Sequence, residues 1–253
     1  MRHKSGDPSH IAWECAGLEW LREAQGATIV AILEHGHDWL TEPSLRTVTA
    51  HPQAAENFGR ALARTHAAGA SHFGCPPPQW EQDNGWMGHA RLPLIISARH
   101  APTSWGEFYA EYRILPYITD NVFTSTEIHT LMRLCERLRN DDFDHPQPAL
   151  VQTAAARTHG DLWNGNIMWT DSGIILIDPA AQGNHAEEDL AQLTVFGCPH
   201  HEKIWTAYNE ISPLADGWRE RIPLHQLHML MVHCALFGRS YVSETLSIAG
   251  YYT

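Results

Sequence analysis

Asp161, Asn166 and Asp178 are the side chains of this sequence whose types and spacing could do chemistry. Four residues separate Asp161 from Asn166, and Asp178 follows an apolar run. Carboxylate and amide oxygens are ligands that Mg²⁺ accepts, so Asn166 and Asp178 are candidate metal ligands. Asp161 could orient a hydroxyl and accept its proton as a bond to phosphorus forms. Together they predict the transfer of a phosphoryl group to an alcohol.

A β-hairpin is the element that would bring these residues together. Residues 167–169 and 174–177 have the composition of two short strands, and Asp171-Ser172-Gly173 that of a turn. Because a hairpin returns the chain to its start, Asn166 and Asp178 should be neighbours. A single Asp or Asn in a loop is usually a turn or cap residue, so the prediction rests on all three side chains. The spacing of Asp161 and Asn166 also occurs in the protein-kinase catalytic loop.

Composition limits the class of protein and its partners. The chain has 253 residues, 43% of them hydrophobic and 18% charged, which is typical of a globular protein. Its net charge of −12 argues against a nucleic acid or an anionic membrane as partner. The N-terminus has no apolar signal-like segment, and no apolar run reaches membrane length. We therefore expect a cytoplasmic protein.

The cysteines and histidines do not form a recognisable metal motif. None of the five cysteines belongs to a C-x-x-C pair, which favours reduced, buried thiols. The segment Cys198-Pro199-His200-His201 lacks a second pair of ligands at structural-zinc spacing. Core or surface histidines are the preferred interpretation.

Hydrophobic periodicity predicts a small α/β start and then a mostly helical remainder, an order that suits an α+β fold with two lobes. It predicts helices over residues 9–23, 52–68, 105–118, 125–139, 186–196 and 202–211, another containing Leu224 to Ala235, and strands over 28–33 and 38–42. The stretch from Phe73 to Pro93 has no periodicity, so it is functional or mobile. We expect residues 1–50 to form a small lobe and hinge. Residues 51–253 should form a mostly helical lobe with the catalytic loop and metal site, and a nucleotide should lie between the lobes.

Several sequence blocks resemble the fructosamine/ketosamine kinase family, a relative of the aminoglycoside phosphotransferases and choline kinases. The blocks are His159-Gly160-Asp161-Leu162-Trp163-Asn164-Gly165-Asn166, Asp178-Pro179-Ala180, Gly183 to Ala191, Phe58 to His66, Phe73-Gly74 with Asp83-Asn84, and Trp105 to Ile114. They extend over nearly the whole chain. The resemblance implies a bilobal protein-kinase-like fold with a catalytic β-hairpin in the large lobe.

The resemblance also assigns roles around the catalytic loop. It implies Asp161 as the catalytic base and Asn166 and Asp178 as Mg²⁺ ligands. His159 and Asp189 would support the loop, although an acid in the first turn of a helix is the ordinary interpretation of Asp189.

A sugar-binding role is implied for Trp163, although packing is an equally ordinary role for a Trp in such a loop. Gln182 stands where the family has an aromatic residue, so this sequence departs from the family pattern at the expected sugar site.

Residues near the N-terminus match the nucleotide-binding part of the family. Lys4 stands where a strand lysine grips the donor phosphates, and Glu14 where a helix glutamate orients that lysine. The backbone of Leu40, Thr41 and Glu42 is expected to contact the adenine. A solvated Lys and a surface Glu are the alternative.

The family has two strands and a phosphate-covering loop before the lysine, whereas only Met1, Arg2 and His3 precede Lys4. We therefore expect an N-terminally truncated small lobe. Either the natural chain starts earlier or the protein lacks a lid over the nucleotide, which would remove backbone donors that hold the triphosphate in line.

Three functions follow from these observations. The leading hypothesis is a monomeric, ATP- and Mg²⁺-dependent kinase that phosphorylates a fructosamine or ribulosamine, free or protein-bound, and so supports deglycation. The second is an aminoglycoside- or choline-type phosphotransferase, whose cationic substrates suit an acidic protein. The third is an inactive, lid-less kinase-like binding module.

Overall fold

The first part of the chain forms a helix and a small antiparallel sheet. A computed structural model describes residues 1–253. It begins with β1 (Arg2–Ser5), α1 (Pro8–Glu23), β2 (Thr28–Ile29), β3 (Glu34–His35) and β4 (Trp39–Glu42). In the sheet, β4 lies between β1 and β3. Helix α1 begins where Asp7 accepts a hydrogen bond from the Ser9 amide and Pro8 occupies the first turn, two features that favour a helix start.

The remainder is mostly helical, with short strands between the helices. The helices are α2 (Pro52–Ala67), α3 (Trp105–Tyr109), α4 (Ser125–Arg139), α5 (Ala186–Val195), α6 (His201–Ile211), α7 (Trp218–Phe237) and α8 (Val242–Tyr251). The strands are β5 (Asn84–Met87), β6 (Ala90–Pro93), β7 (Ala156–Thr158), β8 (Ile167–Thr170), β9 (Gly173–Leu176) and β10 (Gln182–Asn184). They pair as β5-β6, β7-β10 and β8-β9.

The predicted strand over 28–33 is shorter in the structure. Thr28 and Ile29 pair in parallel with β9, and the Val30 amide donates to the Leu176 carbonyl. Past this point the segment leaves β9, and from Leu33, whose amide donates to the Thr41 carbonyl, it pairs with β4 instead. The pairing of β2 with β9 joins the N-terminal part directly to the hairpin that carries the candidate ligands.

Most of the predicted helices are confirmed, and one is interrupted. The helix predicted over 105–118 starts as α3, widens into a π turn over Ala110–Ile114 and ends as a 3₁₀ turn over Leu115–Tyr117. Pro116 has no N–H to continue a regular helix, which accounts for the change of winding at the end. The hairpin β5-β6, within the stretch that lacks periodicity, and helix α8 were not predicted.

One hydrophobic cluster of 58 buried residues extends through both parts of the chain. Helices α2 and α6 approach each other closely at Gly59, where an added Cβ would lie 2.2 Å from the Ile204 carbonyl oxygen. All five cysteines are free and buried, as predicted. None of the helices has both the length and the apolar character needed to cross a membrane. The division at residue 50 remains a prediction.

Candidate active site

The predicted hairpin is present, and its ends carry Asn166 and Asp178 side by side. Asn166 immediately precedes β8, and Asp178 follows β9 by two residues. Ile167 pairs with Leu176 at the open end of the hairpin, and the Ile177 amide donates to the Asn166 carbonyl at 3.2 Å. The Asn166 side chain reaches the Asp178 carbonyl oxygen at 3.4 Å. The register of the hairpin therefore positions both candidate ligands.

Asp161 joins the same group through Asn166. The Asn166 Nδ2 donates to the Asp161 carbonyl at 2.8 Å and to its carboxylate Oδ2 at 3.0 Å. These bonds fix the orientation of the amide and leave Oδ1 without a donor from the protein. A buried amide oxygen beside a carboxylate is a donor set that suits a hard divalent cation. The residues present therefore fit Mg²⁺.

The backbone at Asp178 adopts an unusual conformation. Its φ of +54° lies in the left-handed region, which a residue other than glycine seldom adopts. Such strain persists only where neighbouring contacts impose it, and it is concentrated at functional sites. Here Asn166 contacts the Asp178 carbonyl, and His159 Nε2 donates to the preceding carbonyl, of Ile177, at 3.0 Å.

Lys4 lies at the centre of an acidic group next to the hairpin. Its Nζ donates to Glu14 Oε1 and to Asp178 Oδ1. One oxygen from each of Glu14, Glu42 and Asp178 lies within 4.8 Å of the others. Burial would lower the pKa of Lys4, but the charges of Glu14 and Asp178 raise it above its ordinary value. Lys4 is thus held as a cation between the helix glutamate and the hairpin aspartate.

The surroundings of Asp178 and Asp161 shift the pKa values of the two carboxyl groups in opposite directions. Burial would raise the pKa of Asp178, but Lys4 and then Arg2 hold it below its ordinary value. Burial raises the pKa of Asp161 to about 7, and the charge of Asp178 adds to the effect, while the bond from Asn166 opposes it. A carboxyl group with a pKa near neutrality is suited to exchanging a proton with a hydroxyl.

Asp189, in the first turn of α5, holds the backbone of the loop that leads to Asp161. Its Oδ2 accepts from the His159 amide at 2.7 Å and its Oδ1 from the Gly160 amide at 2.9 Å. His66 Nε2 lies 3.1 Å from Oδ2. Gly160 has φ of +79°, and an added Cβ would lie 2.1 Å from the Ala180 carbonyl oxygen, so the loop requires glycine here.

Gln192 is a loop-supporting residue that sequence reasoning missed. Its Oε1 accepts from the Leu162 amide at 2.7 Å, and its Nε2 donates to the Gly160 carbonyl at 3.1 Å. Gln192 follows Asp189 by three positions on α5, so both side chains lie on one face of the helix. This spacing of three positions was the sequence signal from which Gln192 could have been predicted.

A cavity of about 310 Å³ lies beside the hairpin, where β4 leaves its sheet. Its lining residues are Arg2, Val30, Glu42, Pro43, Ser44, Leu45, Met168 and Ile177. The adenine contact predicted for the backbone of Leu40, Thr41 and Glu42 stays a prediction, and the structure places Leu40 and Thr41 inside β4. The Leu40 side chain is buried against Ile11 and Cys15, and the Thr41 carbonyl accepts from the Leu33 amide. Because β4 continues to Glu42, the segment that reaches the cavity starts there.

Trp163 lies at the surface of the same loop as Asp161. The residue is 36% exposed, and its ring stands edge-on to that of Phe196, with the ring centroids 5.8 Å apart. Phe196 in turn contacts the rings of His233 at 4.9 Å and Tyr241 at 6.1 Å. Trp163 therefore begins an aromatic surface next to Asp161. Gln182, by contrast, is buried and accepts a hydrogen bond from Arg113.

Comparison with known proteins agrees with this geometry. The sequence model of a family described as fructosamine kinase matches residues 5–250. A probable ketoamine kinase from Enterococcus faecium is 40% identical over 194 residues, which are 74% of this chain and 63% of its own length. The crystal structure of a Thermobifida fusca protein provisionally named a fructosamine-3-kinase has a TM-score of 0.83 at 38% identity. It covers 95% of this chain and 79% of that one.

A more distant structure supports the fold alone. A choline kinase from Streptococcus pneumoniae has a TM-score of 0.58 at 14% identity, covering 99% of this chain and 84% of that one. The chain therefore has the expected α+β, bilobal protein-kinase-like fold. It spans about three fifths of the length of several curated ketoamine kinases that it matches.

Proposed function

This chain belongs to the fructosamine kinase family, and on that premise we propose that it transfers the γ-phosphoryl group of ATP to a hydroxyl of a ketosamine. The acceptor is a fructosamine or ribulosamine, free or attached to a protein, and its phosphorylation supports deglycation. The observation that carries the proposal is the convergence of Asp161, Asn166 and Asp178 at the open end of the hairpin.

In this proposal Asn166 and Asp178 hold the metal. Asn166 Oδ1 has no donor from the protein, and the Asp178 carboxylate is partly accessible to solvent. Bound Mg²⁺ would neutralise the donor phosphates and bridge them. Lys4 contacts Asp178 here and would turn to the phosphates when they bind, while Glu14 keeps the ammonium group in place.

Asp161 is the proposed catalytic base. The acceptor hydroxyl would approach its carboxylate, which orients it and takes its proton as the bond to phosphorus forms. The bond from Asn166 fixes the carboxylate, and Asp189 fixes the loop backbone through His159 and Gly160. Positioning of this kind is the main contribution that a protein makes to phosphoryl transfer.

The two substrates would lie on opposite sides of this group. The cavity beside Pro43 to Leu45 would offer Val30, Met168 and Ile177 to the flat face of an adenine, and the segment from Pro43 to Leu45 to its edge. On the other side, the surface that starts at Trp163 offers a ring against which the apolar face of a sugar packs.

A panel of acceptors tests the proposal. The purified chain with Mg·ATP is offered a fructosyl amine, a ribulosyl amine, an aminoglycoside and choline, and the phosphorylated product is identified by mass. We expect kcat/KM for one of the ketosamines to exceed that for the aminoglycoside and for choline by about 10²-fold or more, because a site that hydrogen-bonds several sugar hydroxyls rejects acceptors that lack them or present them in another arrangement.

Each other outcome has a distinct meaning. Preference for the aminoglycoside or choline would show that the chain is a phosphotransferase with the same catalytic residues but with a cationic acceptor in place of the ketosamine. Transfer to none of the four, together with retained nucleotide binding, would identify a kinase-like binding module instead.

A further inference from the structure

Four side chains that can bind metals meet in the large lobe, away from the hairpin. One ligand atom from each of His145, His185, Glu187 and His225 lies within 4.8 Å of the others. The His185, Glu187 and His225 side chains are buried, and that of His145 is only 5% exposed. They come from three places: the linker after α4, the start of α5 and the middle of α7. We call these four residues the histidine cluster.

Three atoms of the cluster form a nearly equilateral triangle. His145 Nε2 lies 3.1 Å from His225 Nε2 and 3.3 Å from Glu187 Oε2, and His225 Nε2 lies 3.5 Å from Glu187 Oε2. Tetrahedral zinc with bonds of about 2.0–2.1 Å separates its ligand atoms by about 3.3–3.4 Å. The three sides of the triangle therefore match the edge of a zinc coordination tetrahedron.

The hydrogen bonds around the triangle leave lone pairs inside it. His145 Nδ1 donates to the Phe143 carbonyl at 2.8 Å, so the Nε2 of the neutral ring carries a lone pair. Glu187 Oε2 is a carboxylate oxygen, and it faces that nitrogen at 3.3 Å. Two acceptors at this distance need a cation or a shared proton between them. A metal-bound histidine also usually donates the N–H of its other ring nitrogen to a carbonyl or carboxylate oxygen, as His145 Nδ1 does to Phe143.

We propose that His145, His225 and Glu187 bind one Zn²⁺ ion, with His185 beside the fourth coordination position. The His185 ring lies 4.1 Å from that of His145, centroid to centroid. It already caps α5, because its Nδ1 accepts from the Glu187 amide at 3.2 Å. Imidazole and carboxylate ligands suit zinc, and the absence of thiolates is no obstacle.

Arg221 completes the surroundings of the site. It forms two hydrogen bonds with the Glu187 carboxylate, at 2.7 and 3.0 Å, and so fixes its plane. Trp105 covers the cluster, with its ring 4.5 Å from that of His225 and 5.1 Å from that of His145. The ion would therefore be enclosed by protein, with three side-chain ligands and its fourth position next to the His185 ring.

Zinc at this position would stabilise the elements that support the catalytic loop. Glu187 and His185 belong to the start of α5, two to four positions before Asp189. His225 and His145 connect that start to α7 and to the linker after α4. Because the ion binds the folded arrangement of three separate segments, it should raise the thermal stability of the chain.

Zinc binding is tested on the full chain after treatment with a chelator. ZnCl₂ is titrated in, bound zinc is counted by mass spectrometry, and Tm is followed. We expect one Zn²⁺ per chain and a Tm that rises with the zinc concentration. His145→Gln and Glu187→Gln should each weaken zinc binding by about 100-fold or more, because each removes a ligand.

Two variants serve as controls. His228→Gln changes another buried histidine of α7, whose Nδ1 contacts Glu188 at 2.7 Å, and should leave zinc binding unchanged. Asp178→Asn changes the candidate active site and should also leave it unchanged. Less than a tenth of an equivalent bound to the native chain would overturn the proposal and leave shared protons as the occupant of the triangle. Equal zinc binding by both ligand variants would overturn it too, and neither result bears on kinase activity.

Discussion

Replacing Asp161 with Asn is expected to lower kcat for ketosamine phosphorylation by about 10²–10⁴-fold. The variant keeps the shape of the side chain, and its amide oxygen can still accept the bond that Asn166 donates to Oδ2 at 3.0 Å. What it loses is the ability to take the proton of the acceptor hydroxyl. Binding of Mg·ATP should change little, because Asp161 is not among the proposed metal ligands. Steady-state kinetics and titration with Mg·ATP measure the two effects separately.

Asp171→Asn is the matched control for this variant. Asp171 lies in the exposed turn of the same hairpin, and the same chemical change there should leave kcat within a factor of about two. An Asp161→Asn enzyme with native turnover would remove Asp161 from the mechanism.

Asp189→Asn is expected to destabilise the chain by about 3 kcal/mol. The two Asp189 oxygens accept three bonds, from the His159 and Gly160 amides and from His66. An amide has one acceptor oxygen, so at least one buried N–H would face an NH₂ group. For a chain of this size the change corresponds to a Tm lower by about 6–12 °C. Thermal or urea denaturation measures it, and Asp171→Asn should change stability by less than about 0.5 kcal/mol.

The effect of Asp189→Asn should depend on pH in a defined direction. Burial would raise the pKa of Asp189, but the bond and charge of His66, followed by His159, hold it below its ordinary value. A lowered pKa gives stability that is complete above the ordinary value of about 3.9 and is lost as pH falls through it towards the folded-state value. The difference in stability between the native chain and the variant should therefore stay constant from pH 7 to about pH 5 and narrow below about pH 4. A difference that stays constant as the pH falls to 3 and below would show that the charge of Asp189 does not matter.

The sequence was most informative where local patterns determine structure. The apolar runs on either side of Gly173 predicted the hairpin, and the hairpin alone makes Asn166 and Asp178 neighbours. Lys4 and Glu14 meet because a strand and a capped helix follow one another closely along the chain. Long-range pairing was harder to foresee. The parallel partner of β2 lies about 145 residues further on, at β9, and the exit of β4 at Glu42 depends on strands on both sides of it.

Clusters made by tertiary packing were not visible in the sequence. His145 and His225 are 80 positions apart, yet their Nε2 atoms lie 3.1 Å from each other. Zinc sites are predicted from sequence by closely spaced pairs of ligands. His145 belongs to no such pair, and the histidine three positions after His225, His228, contacts Glu188 instead. Gln192 could have been found from the sequence, because its spacing of three positions from Asp189 places both side chains on one face of the helix. Which backbone groups it contacts could be known only from the fold.

The most direct measurement of the central claim is a crystal structure with Mg²⁺ and a non-hydrolysable ATP analogue. It should show Mg²⁺ at about 2.0–2.1 Å from Asn166 Oδ1 and from an Asp178 carboxylate oxygen, with the γ-phosphate on the side of Asp161. A metal bound through other side chains, or a nucleotide outside the cavity beside Pro43 to Leu45, would contradict the account.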